Sequence, residues 1–152
     1  MEILCAIGER RGVELIQRVA ETLPNDSSLI LLHVINTGPR RDLETVGGPL
    51  RHVPVREHNV DVAEETAGHN ALEEALAAAR AAGFAAETRL ERGNPEHVIV
   101  EIARQVNASL VTLHARENFH GRPRQGPPSV GHTARFVLDH APAYVLLFRE
   151  RA

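Results

Sequence analysis

The stretch from His114 to Thr133, HARENFHGRPRQGPPSVGHT, holds three histidines, three arginines, three glycines and three prolines. It runs between SLVTL, which reads as a buried strand, and TARFVLDH, which reads as a helix. At such a crossing, glycines let backbone N–H groups approach an anion, and the start of the helix adds partial positive charge. Arginine guanidinium groups add forked, charge-assisted contacts. Gly121 and Gly131, with Arg116, Arg122 and Arg124, are therefore candidates for a phosphate cradle. Pro123, Pro127 and Pro128 work against it by removing three backbone donors. The alternative is a long solvated loop. His114, His120 and His132 share the crossing, but their spacing matches no zinc signature and no cysteine lies near, so no metal is assigned. No catalytic set emerges either: no serine sits in a strand-to-helix elbow, and Glu64, Glu65, Glu73 and Glu74 read as the outer face of a helix.

Composition removes several classes of function. All 17 basic residues are arginine, so neither a P-loop lysine nor a Schiff-base lysine is present. A net charge of −3 gives no electrostatic footprint for nucleic acid. With no tryptophan and one tyrosine, an aromatic sandwich for a flavin has little to build on. No apolar run approaches the ~20 residues a membrane span needs, and no signal-peptide pattern is seen, so a cytoplasmic protein is expected. Cys5, the only cysteine, lies within the apolar run ILCAI and reads as a small core residue.

The elements that must position the crossing follow from the apolar pattern. The 152 residues predict one domain, with strands over 2–7, 28–35, 86–92, 109–113 and 143–148. The second is a continuous apolar run, as in a parallel strand covered on both faces. Val13, Ile16, Val19, Ala20 and Leu23 mark the inner face of a first helix. A second helix begins near Asp61 and stops at Gly83, and a third has Asn94 as N-cap and Pro95 at its first position. A fourth follows at residues 133–140, and residues 36–59, rich in Pro and Gly, read as a long surface excursion. Alternating strands and helices predict an α/β fold: an open five-stranded, mostly parallel sheet with helices on both faces.

Three stretches, LLHVI, GNPEHVIVEIARQVNASLVTL and GHTARFVLDHAPAYVLLF, together resemble the universal stress protein family over essentially the whole chain. The resemblance implies the family's adenine nucleotide alpha hydrolase-like fold, a homodimer, and ATP or AMP as the ligand of its nucleotide-binding members. Those members carry Gly, two residues, Gly, nine residues, Gly, then Ser or Thr. Gly121 and Gly131 match the second and third glycines, whereas Asn118 stands at the first and His132 at the hydroxyl position. Gly8 stands where the family usually has a ribose-binding carboxylate. Candidate nucleotide-binding residues are thus Ile7, Gly8, Val34, Leu113, His114, Asn118, Gly121, Arg122, Arg124, Gly131, His132 and Thr133. Tyr144, Val145, Leu146, Leu147 and Phe148 form an apolar edge strand and are the candidate dimer interface.

With these departures, the resemblance implies a dimeric, non-enzymatic stress-response regulator with a degenerate adenine-nucleotide site. A functional ATP/AMP-binding member is the alternative, and a nucleotide or phosphate hydrolase a further one. No cofactor is fixed by the residues themselves. No nucleic acid or membrane partner is expected.

Overall fold

The computed structural model describes residues 1–37, 54–115 and 129–149, with side chains of the second segment described from Val60 onward. Five strands, β1 (Glu2–Ala6), β2 (Ser28–Asn36), β3 (Ala85–Gly93), β4 (Leu110–His114) and β5 (Tyr144–Phe148), form one sheet in the order β3-β2-β1-β4-β5. Every neighbouring pair is parallel, as the alternating pattern requires.

Among the described residues, four helices connect them: α1 (Gly12–Thr22), α2 (Pro54–Ala81), α3 (Pro95–Gln105) and α4 (His132–His140). Each sheet face has its own apolar core. Ile3, Cys5, Leu29 and Leu31 pack against Leu15, Ile16 and Val19 of α1 and Leu72, Ala75 and Ala79 of α2. Leu4, Ile30, Leu32 and Val111 pack against Ile99, Ile102 and Ala103 of α3 and Ala134 and Val137 of α4. Alternation along β1, β2 and β4 divides the side chains between these faces.

Two expectations are corrected. The second helix begins at Pro54 rather than near Asp61, so residues 54–59 belong to a helix and not to the excursion. Proline suits a first helical turn because its missing N–H would have no intrahelical partner there. In α1 the inner face is Gly12, Leu15, Ile16 and Val19, while Ala20 is exposed. Residues 38–53 and 116–128, the interiors of the expected excursion and loop, lie outside the described residues.

Local chemistry accounts for the element ends nearest the crevice. The side chain of Asn94 accepts a hydrogen bond from the Glu96 N–H at 3.1 Å, and Pro95 follows at the first helical position. Gly131, with φ of 91° and ψ of 165°, precedes α4 in a conformation that glycine adopts without a Cβ clash.

Candidate functional site

β1 sits at the centre of the sheet beside β4. From β1 the chain enters α1 on one face, and from β4 it reaches α4 on the other. The carboxyl ends of the two strands therefore flank a crevice at a topological switch point, where open α/β sheets bind ligands.

On the β1 side, the crevice is held rigidly. The Ile7 N–H donates to the Leu32 carbonyl at 2.7 Å, and the Ile7 carbonyl accepts a 2.7 Å hydrogen bond from Nδ1 of His33. His33 is only 5% exposed, so this bond is shielded from water. Its ring lies under Gly68 of α2, where a Cβ would come within 2.7 Å of Cδ2. Ile7 is also pressed by the start of α1, since a Cβ on Gly12 would stand 2.7 Å from Cγ2 of Ile7. Gly8 is different: it is exposed, and a Cβ there meets no heavy atom of the described residues within 4 Å.

At the end of β4, Leu113 is buried toward α3 and α4, with Val34 of β2 packed against the same cluster. His114 lies two residues beyond Thr112, which pairs with Cys5, and turns to the α1 face. Both ring nitrogens of His114 are buried, and neither makes a hydrogen bond of good geometry with a described residue. Burial pushes its pKa below the ordinary histidine value, and the nearby Arg11 charge pushes further down. Glu14 and the backbones of Phe148 and Arg11 offset part of this. Arg11 clasps Glu14 through two bonds of 2.9 Å, and that hydrogen bonding holds the Glu14 carboxyl below its usual range. His114 therefore belongs with the α1 ion pair, away from the residues at the start of α4.

The other wall holds a contact that sequence reading missed. Gly131 caps α4, and His132 and Thr133 are its first two residues, so these three lie together as expected. His132 Nε2 is 2.7 Å from Oε1 of Glu96, in the first turn of α3. Glu96 is 6% exposed, the most buried acidic residue among those described. α4 has no side-chain cap and no acidic residue in its own first turn. The carboxylate that reaches its first residue comes from α3. The early position of Glu96 after an N-cap signalled a helix-start carboxylate, but not its burial or its partner. Asn118, Gly121, Arg122 and Arg124 lie outside the described residues.

Among the described residues no group of three His, Cys, Asp or Glu side chains could hold a metal ion. A separate groove of about 610 Å³ runs along α3 and α4, lined in part by His97, Phe136 and His140. Their rings stack edge-on and tilted at 4.6 and 4.3 Å. No residue of β1 or β4 lines it.

The edge strand β5 pairs only with β4. Tyr144 is 84% exposed, Val145, Leu146 and Leu147 are half-buried, and Phe148 is buried beneath Arg18, whose guanidinium lies 5.5 Å from the ring centre. No described helix is long and apolar enough to cross a membrane.

Several solved structures share this architecture. The hypothetical protein MJ0577 is 18% identical, with 99% of this chain and 96% of that one covered at a TM-score of 0.73. A universal stress protein family protein from Arabidopsis thaliana with AMP bound is 14% identical, covering 100% and 93% at 0.68. A universal stress protein from Archaeoglobus fulgidus in complex with dAMP is 20% identical, covering 97% and 96% at 0.61. At these identities the likeness shows the fold. No match is found among curated proteins. The model of the universal stress protein family matches residues 1–149, nearly the entire chain, and with the all-parallel five-stranded sheet this establishes that the chain belongs to the universal stress protein family.

Proposed function

We propose that this chain is a non-enzymatic, cytoplasmic stress-response regulator, dimeric through β5, whose adenine-nucleotide site binds its ligand weakly. One observation carries the reading. Gly8 stands where the resemblance puts a ribose-binding carboxylate, and the imidazole of His132, the first residue of α4, is held by the buried carboxylate of Glu96. A ribose loses a charge-assisted partner, a difference of roughly 1.5–3 kcal/mol.

Calorimetric titration with adenosine, AMP and ATP, with and without Mg²⁺, tests this reading. Binding weaker than about 10 μM for every ligand is expected (about −6.8 kcal/mol). Tight ATP binding would instead favour the second reading, a functional nucleotide-binding member. The AMP and dAMP held by fold relatives support that second reading. ATP turnover would favour a hydrolase.

A further inference from the structure

We draw no further inference here: the strongest candidate, the groove along α3 and α4 beside the rings of His97, Phe136 and His140, carries nothing, because its carboxylates Glu91 and Glu101 are paired with Arg89 and Arg104 and nothing in the structure shows what covers it.

Discussion

His33 donates from Nδ1 to the carbonyl of Ile7, 26 positions earlier in the chain, across 2.7 Å of buried space. This one bond ties β2 to the residue just after β1 and so sets the direction in which Gly8 enters the crevice. The tautomer follows from the partner: a carbonyl only accepts, so Nδ1 carries the proton.

Replacing His33 with leucine leaves the Ile7 carbonyl buried without its donor, and a loss of about 1–3 kcal/mol in unfolding free energy is expected. Gly68→Ala should cost a similar ~1–3 kcal/mol for a different reason, because its Cβ would press on the His33 ring at 2.7 Å. Urea denaturation of each single variant and of the pair checks both. The two residues touch, so the double variant should lose less than the sum.

Gly8→Asp should be nearly neutral for stability, within about 0.5 kcal/mol, since position 8 is exposed and its Cβ meets no atom of the described residues. It would return a carboxylate to the end of β1, where a ribose hydroxyl can donate to it. Adenosine should then bind about five- to thirtyfold more tightly, or roughly 1–2 kcal/mol. Calorimetry on parent and variant in one buffer is the measurement, and equal affinity would mean that position 8 does not contact the sugar.

The thiol of Cys5 should be inert in the folded protein. Burial pushes its pKa up to about 12, with only partial relief from Thr112, and the side chain is 0% exposed. A chromogenic disulfide reagent at pH 8 should label no thiol in native protein and one per chain in denaturant. Rapid labelling without denaturant would contradict the packing of β1 between β2 and β4.

His114 should make the fold sensitive to mild acid. Its folded-state pKa is lowered by burial and by Arg11, so the folded protein binds fewer protons at this site than the unfolded chain does. Stability therefore rises with pH from the depressed value up to the ordinary histidine value of about 6.5, and the penalty is gone above it. Melting temperatures measured from pH 5 to pH 8 should fall on the acid side, and His114→Gln should flatten that slope. Parallel curves for parent and variant would assign the acid sensitivity elsewhere.

If β5 pairs with its copy, light scattering at tens of micromolar should give twice the mass of one chain. Tyr144→Glu should weaken that assembly, because twofold pairing brings two new like charges near one another on an exposed edge. A monomeric parent would remove β5 as the interface.

The architecture was legible where one residue type had one job. Asn94 and Pro95 marked the start of α3, Gly83 the end of α2 with φ of 90°, and the unbroken apolar run of β2 its burial on both faces. Pro54 obeyed the same rules but stood among prolines and glycines that suggested irregular chain, and the helix start was missed by seven residues. The crevice was legible as a place rather than as a set of contacts. Nothing in the spacing of Glu96 and His132 joins them, since two helices docked on the sheet face bring them together. The same holds for His33: its position in an apolar run announced burial, but its acceptor is the carbonyl of Ile7, just past another strand.

The strand order also has a consequence in time. β1 meets β2 early in the chain, yet its other neighbour, β4, arrives only with Leu110 opposite Ile3, about 107 residues later. Closing that span costs more chain entropy than joining β1 to β2, and parallel pairing offers no hairpin to lower the cost. The crevice therefore lies on the seam that the chain closes over the longest distance. A nascent chain ending before β4 would show the central strand with one side unpaired, and occupancy of that edge by β4 brings together the two strand ends that flank the crevice, leaving β5 to add at the edge.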